Sequence, residues 1–366
     1  KYQNRKGRIR MKGYQFEDTQ GTFHLKKAEN ISYLYFPIAG EAGLKSSFTP
    51  NLGGDAKIDQ NTFLLEPVSA ENLVNNRNSR NFWCNVKGIG SWSLTGHSAE
   101  ELSKKFTEMQ DDSEVTAGFM WQKTTRESKK YQLRGEILSF IPVDKNVEIM
   151  LVTITNTGRM AQTVTPTAAI PLYGRSADNI RDHRHVTSLL HRIETTDTGV
   201  LVTPTLSFDE RGHQVNHMTY YCVGWSGNGE KPVDFYPTAE DFVGEGGNFE
   251  RPYAIVKNAE GVKAGTKIEG LEAVGGLHFS EITLEPEEEC SYLIFTGITE
   301  DIQEIRNLSK TYTTREKVLE ELEKTKAYWQ EKVNVAYHTG DSDFNQFMHW
   351  VSFQPILRRI YGCSFL

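Results

Sequence analysis

The sequence predicts a mainly β protein: a large antiparallel β-sandwich followed by a short helical region. Three observations carry that prediction. From Ala117 to Gly297 the chain falls into short β-branched and aromatic runs, separated by turn-forming clusters at fairly regular spacing. Within VEIMLVTITNT, Val147, Ile149, Leu151, Thr153 and Thr155 alternate with Met150, Val152 and Ile154, so both sides of the strand are largely apolar. A strand covered on both faces has that pattern. After Gly297 the apolar period lengthens to three or four residues, which is helical.

Residues 1–12 are basic but lack an apolar core, so they form no signal peptide and are expected to be disordered or artificial, with Met11 the natural start. Residues 13–300 are expected to form the sandwich. It opens on a hairpin, Gly13 to Tyr35, turning at Thr19-Gln20-Gly21-Thr22, and runs into a buried strand at 33–40 that Pro37 and Gly40 end. Residues 44–85 are rich in Asn, Gly, Asp and Ser, yet Phe48, Phe63, Leu64, Leu65, Phe82 and Trp83 need burial. Long, ordered loops satisfy both demands. Ser98 and Glu101 form a capping box for a helix over 98–109. Strands at 131–143, 147–158 and 162–174 then make a meander, and further strands are expected at 186–193, 198–204, 216–225, 276–284 and 290–297. Between them, 205–214 and 226–275 read as loops.

Residues 301–340 are expected to be a helical linker, centred on a helix at 313–333 with Val318, Leu322, Trp329 and Val333 on one face. A second helix, 341–360, is capped by Asp341 or Ser342, apolar on most faces, and should kink at Pro355. Such a helix wants neighbours on several sides, which suggests partners beyond Leu366 and a fragment boundary there.

Composition excludes several classes. A net charge of −7 with no basic stripe argues against nucleic acid. No window approaches 18 consecutive apolar residues, so no membrane-spanning helix is predicted. Cys84, Cys222, Cys290 and Cys363 are widely spaced, which suits free thiols in a reducing cytoplasm. The motifs GxSxG, GxxxxGK[ST] and a dinucleotide-binding GxGxxG are absent.

The densest chemistry lies in YGRSADNIRDHRHVTSLLHR, 173–192, which holds Arg175, Asp178, Arg181, Asp182, His183, Arg184, His185, His191 and Arg192. Charges at this density are costly to bury unless paired with each other or with a polar ligand. His183 and His185, with Asp182 or His191 as a third ligand, give a weak metal signal; an Arg–Asp–His hydrogen-bonded network is preferred. In the 49–83 loops, Gln60, Asn61, Asn75, Arg80 and Trp83 combine sugar-binding polar groups with an aromatic. Asp55, Asp59, Glu66 and Glu71 offer carboxylates, but no spacing selects a pair.

Long segments resemble the N-terminal part of the cellobiose phosphorylase-like glycoside phosphorylases, the group that includes β-glucan and chitobiose phosphorylases. They are YLYFPIAGEAGLKSSFTPNLGGDAKIDQNTFLLEPVSAENL, NNRNSRNFW, WSLTGHSAEE, VTITNTG, PTAAIPLYGRSADNIRDHRHVTSLLHR and FQPILRRIYGCSFL. The likeness runs from about Tyr14 over nearly the whole chain. It implies a supersandwich, a helical linker and, at 341–366, the first helix of an (α/α)6 catalytic barrel cut short. The implied reaction is cleavage of β-linked gluco-oligosaccharides by inorganic phosphate with inversion, giving α-glucose 1-phosphate. Phosphate is then a co-substrate, and neither cofactor nor metal is needed. The resemblance implies a cytoplasmic homodimer whose sandwich shapes an active-site entrance, with Gln60, Asn61, Asn75, Arg80, Trp83, Arg181, Asp182, Arg184 and His185 as candidates there. Arg358 or, preferably, Arg359 would approach the phosphate pocket; pairing on a core helix is the alternative. The family's catalytic acid has no counterpart in these residues, so the fragment alone is expected to be inactive. A processing domain of a cyclic β-glucan synthase and a non-catalytic carbohydrate-binding module are the rival readings.

Overall fold

The structure, a computed structural model, describes residues 13–31, 35–68, 79–180, 184–209 and 212–362. Among these, the strands form four antiparallel sheets. The largest has 11 strands. In spatial order they are Tyr14–Phe16, Phe23–Lys26, Asp112–Gly118, Trp121–Ser128, Leu133–Phe140, Val147–Asn156, Glu289–Thr299, Thr219–Ser226, Gly199–Val202, Arg192–Thr195 and Lys267–Glu269. A six-stranded sheet runs Asp234–Thr238, Ala273–His278, Gln162–Leu172, Asn81–Val86 and Gly90–Ser93, with Ile282–Leu284 paired to Gln162–Leu172. Phe36–Ala39, Lys45–Phe48, Ala56–Asp59 and Thr62–Leu65 make a four-stranded sheet, and Leu206–Asp209 pairs with Gly212–Val215. The helices are α1 (Ala99–Ser103), α2 (Arg184–Thr187), α3 (Ala239–Val243), α4 (Tyr253–Lys257), α5 (Ile302–Thr311), α6 (Arg315–Glu331) and α7 (Ser342–Tyr361).

Burying apolar surface stacks these elements into four layers. Phe82, Cys84, Val164, Ala168 and Ile170 of the six-stranded sheet share one core with Met150, Val152, Ile154, Tyr220, Cys222 and Ile294 of the large sheet. The sheets approach closely at Gly275, where an added Cβ would lie 2.2 Å from Cys222 Cβ. On the outer face of the large sheet, Ile149, Leu151, Trp225, Leu293 and Phe295 pack on Ile305, Leu308 and Tyr312 of the α5 region and on Val318 and Leu322 of α6. Helices α3 and α4 cover the outer face of the other sheet through Phe242, Ala254 and Ile255, packed on Trp83, Tyr236 and Val274. Every residue of Val147–Asn156 is consequently buried, as its two-faced pattern requires.

Several elements differ from the sequence expectation. The residues read as loops at 44–85 hold four strands of four to six residues, too short for their alternation to stand out among turn residues. Pro37 lies inside its strand rather than ending it. The strand Gln162–Leu172 does not continue the meander but crosses to the other sheet. Asn156 spans that crossing, its Nδ2 donating to Met160 O and Leu284 O, each at 2.9 Å. The strand expected at 186–193 begins only at Arg192, after α2 and a 3₁₀ turn at Ser188–Leu190. Within the residues read as a loop at 205–214, Leu206–Asp209 pairs with the strand Gly212–Val215, and 226–275 contain α3, α4 and three strands or strand starts. Ser98 caps α1 by accepting Glu101 N–H at 3.1 Å, but Glu101 does not complete a box. Its carboxylate accepts Asp111 N–H at 2.8 Å and faces Arg126 at 3.5 Å, and α1 stops at Ser103. Helix α7 continues through Pro355.

Candidate functional site

Where Gln162–Leu172 leaves its sheet, the chain turns at Gly174 (φ +59°) and is stitched to the hairpin Ala56–Leu65. Tyr173 N–H donates to Leu64 O at 2.8 Å, Phe63 N–H to Arg175 O at 3.0 Å and Ala177 N–H to Gln60 O at 2.9 Å. Gln60 and Asn61 form the hairpin turn, with Asn61 N–H donating to Asp59 Oδ1 at 2.9 Å. The structure thus brings two candidate segments, far apart in sequence, to one edge of the sandwich.

Arg175 organises that edge. Its guanidinium is buried over the Tyr173 ring, 4.5 Å from the centroid. Nε donates to Tyr173 O at 2.9 Å; Nη1 donates to Thr187 Oγ1 at 3.0 Å and Glu272 Oε1 at 3.1 Å; Nη2 donates to Glu272 Oε2. A bidentate pair of this kind fixes geometry as well as charge. His191 lies beneath, fully buried, with Nδ1 3.1 Å from Leu271 O. Burial first, and Arg175 second, push its imidazole down to about 4, so it is neutral near pH 7. A cleft of about 40 Å³ beside this network is lined by Glu66, Tyr173, Phe249 and Glu272. The described hydrogen-bond partners of the Arg175 guanidinium thus include Thr187 and a distant carboxylate, Glu272, beside the Arg–Asp–His network expected within the segment. No local pattern could have singled it out from 97 residues away.

Arg181, Asp182 and His183 lie outside the described residues, as does Asn75, and nothing is described of the Arg184 and His185 side chains. The metal grouping expected around them is therefore not described. Its alternative member His191 faces Leu271 O, and the described residues hold no cluster of three or more potential ligands.

Arg80 and Trp83 require correction as substrate contacts, because both side chains are buried. Arg80 has no exposure: Nε donates to Glu148 Oε1 at 2.5 Å, Nη2 to Glu148 Oε2 at 3.0 Å and Nη1 to Gly54 O at 2.9 Å. Ser46 Oγ donates to the same carboxylate at 2.6 Å. The group pins the four-stranded sheet to the centre of the large one. Gly54 is required there, since φ is +133° and a Cβ would lie 1.9 Å from Ser47 O. Trp83, 2% exposed, has no ring face to offer a sugar.

Arg359 likewise does not stand open for phosphate. It donates bidentately to Glu41, at 2.9 and 2.6 Å, and Tyr328 OH donates to the same carboxylate at 3.0 Å. These hydrogen bonds, Arg359's above all, hold Glu41 below the ordinary carboxylate range. Further ties seat α7 on the sandwich: Trp350 Nε1 donates to Gly21 O at 2.7 Å and Tyr361 OH to Ser46 O at 2.6 Å.

The fold therefore belongs to the large antiparallel sandwiches with C-terminal helices. The model of the glycosyl hydrolase 94 supersandwich domain matches residues 65–315, and the chain belongs to that family of glycoside phosphorylases. No curated protein matches by sequence. Among solved structures, a bacterial glucoamylase complexed with acarbose is 10% identical, with 91% of this chain and 40% of that chain covered and a TM-score of 0.46. A family 92 α-mannosidase from Bacteroides thetaiotaomicron, in complex with mannoimidazole, is 11% identical over 89% of this chain and 38% of its own, with a TM-score of 0.44. A putative aldose 1-epimerase from Escherichia coli K12 is 8% identical over 73% of this chain and 99% of its own, at 0.38. The chain thus spans about 40% of the glucoamylase's length.

Proposed function

We propose that this chain is the sandwich and helical region of an enzyme that cleaves β-linked gluco-oligosaccharides with inorganic phosphate. The family match over residues 65–315 carries this reading. In an inverting phosphorolysis, a phosphate oxygen attacks the anomeric carbon from the face opposite the leaving oxygen. A carboxylic acid protonates that leaving oxygen, and the product is α-glucose 1-phosphate. The acid and the phosphate pocket are assigned to an (α/α)6 barrel that α7 begins, so these residues alone are expected to be inactive. The sandwich supplies placement: the Arg175–Glu272 network and the Gln60–Asn61 turn hold one edge in a fixed shape, and the Glu41–Arg359 pair holds α7 to it. The same reading makes the protein a cytoplasmic homodimer.

The test uses the protein carrying this domain together with its barrel. Incubated with cellobiose, laminaribiose, sophorose and longer homologues, it should release glucose 1-phosphate only when phosphate is supplied. Release of free sugar at the same rate without phosphate would overturn the reading.

A further inference from the structure

The hairpin at one edge of the large sheet carries a tip that reaches the C-terminal helices. Tyr14–Phe16 is the outermost strand of that sheet, and Phe23–Lys26, next to it, pairs with Glu114–Ala117. Within these two hairpin strands only Leu25 is buried, so the sheet holds the hairpin by one short ladder and little apolar contact. The turn is shaped by its own side chain. Asp18 Oδ1 accepts Gln20 N–H at 2.8 Å and Thr22 N–H at 3.0 Å, and Glu17 N–H donates to Thr22 O at 2.9 Å. An Asp that accepts from the backbone two residues on is a turn former.

The tip is tied to both α6 and α7. Gln330 Nε2 of α6 donates to Gln20 O at 2.7 Å. From α7, Gln346 Oε1 accepts Gly21 N–H at 2.9 Å, and Trp350 Nε1 donates to Gly21 O at 2.7 Å. Gln346 and Trp350 stand at i and i+4, so neighbouring side chains on one helix face take both polar groups of a single residue. Only glycine suits that residue. Its φ is +84°, and a Cβ there would lie 3.3 Å from Trp350 Nε1 and 3.4 Å from Phe119 Cζ. The Trp350 ring also meets Phe23 of the hairpin at 5.9 Å and Phe119 at 4.6 Å between centroids.

We propose that the hairpin Tyr14–Lys26 is a strap that fastens α6 to α7, and that it lifts from the sheet edge as a unit, loosening α7 while the core between the two sheets stays closed. Lifting breaks the Gln20 and Gly21 ties, the Phe23–Trp350 contact and one edge ladder. It leaves Met150, Val152 and Ile154 covered by the second sheet. Strap and helix are then energetically coupled, and such coupling is reciprocal: weakening the grip from α7 must loosen the hairpin, and weakening the turn must loosen α7. The device is independent of which reaction the protein performs.

Hydrogen exchange of the 366-residue chain, followed by mass spectrometry under native conditions, measures both directions. Gln346→Ala acts from the helix, and peptides from 14–26 should exchange about fivefold faster. Asp18→Ala acts from the exposed turn, and peptides from 342–354 should exchange about fivefold to tenfold faster, with those from 147–156 unchanged. Asp18→Asn keeps an accepting oxygen and should stay within about twofold of the parent chain. Unchanged exchange of 342–354 in Asp18→Ala, or of 14–26 in Gln346→Ala, overturns the proposal. Equal acceleration of 147–156 also overturns it, because the hairpin would then open only with the whole sandwich.

Discussion

Between the sheets, Arg80 and Glu148 face one another without contact with water, and their pairing shows why residue type misleads in a sandwich this large. An Arg among amides and aromatics looks like a ligand group from sequence, but desolvation makes it a structural commitment. A buried pair adds little net stability, while loss of one partner leaves a charge stranded at a cost of several kcal/mol. His191 makes a related commitment that can be measured. Its unfolded form takes up a proton near 6.5, the folded form only near 4. Between those values the unfolded state binds more protons, so stability is full above about pH 6.5 and falls as pH drops through the window. The whole effect is about 3 kcal/mol, most of it expressed between pH 7 and 5. His97, pushed down by burial and then by Arg126 and Lys105, acts in the same direction, whereas carboxylates act mainly lower. Urea denaturation of wild type and His191→Gln at pH 7 and pH 5 checks this. The variant should lose clearly less stability on acidification; equal losses would show that His191 is not held neutral.

The helices divide according to their neighbours. Helix α6 is readable from sequence because Val318, Leu322 and Trp329 repeat on one face, and all three are buried. Helix α7 is readable as a helix, but its partners are not. From sequence its apolar faces lack neighbours, and trimming after about residue 337 is expected to help the chain. In the structure Phe353 and Leu357 are buried with Phe119, Met120 and Trp329, and Phe344, Phe347 and Val351 form an exposed apolar stripe. Trimming should therefore expose Phe119 and Trp329 and harm the protein. Phe347→Lys with Val351→Lys should instead reduce any self-association at nearly constant melting temperature, and Phe353→Ala should cost about 3–5 kcal/mol. Sedimentation velocity and thermal melts of the three variants decide it; a trimmed chain as stable as the parent would reverse the argument. The same contrast explains the rest of the fold. Long strands with two-faced alternation are legible, but the four-residue strands around Phe48 and Phe63 are not, because their pairing is set by distant contacts. At the candidate edge Arg175 is legible, while Glu272 becomes visible only once the chain has folded.

At the scale of the whole molecule, the layers are unequal in protection, and that inequality makes a prediction about opening. Val147–Asn156 lies between Leu133–Phe140 and Glu289–Thr299, with a sheet on one face and α5 and α6 on the other. Its amides can reach water only when both layers separate, so their exchange requires near-global unfolding. The pair Leu206–Asp209 and Gly212–Val215 forms a separate two-stranded sheet, and Gly212–Val215 is exposed along its length. An isolated two-stranded ribbon is marginal on its own and should open locally. Hydrogen exchange measured by mass spectrometry should find peptides from 147–156 and 292–297 slowest, with urea accelerating them in step with global denaturation. Peptides from 212–215 should exchange fastest among the strands and respond little to urea. If removing the outer layer by destabilising α5 and α6, for example with Leu308→Ala, left the 147–156 peptides as slow as before, those helices would not be integral to the core. Protection that falls with the helix variant would instead make the region after Thr299 part of the sandwich's stability rather than a passive tether.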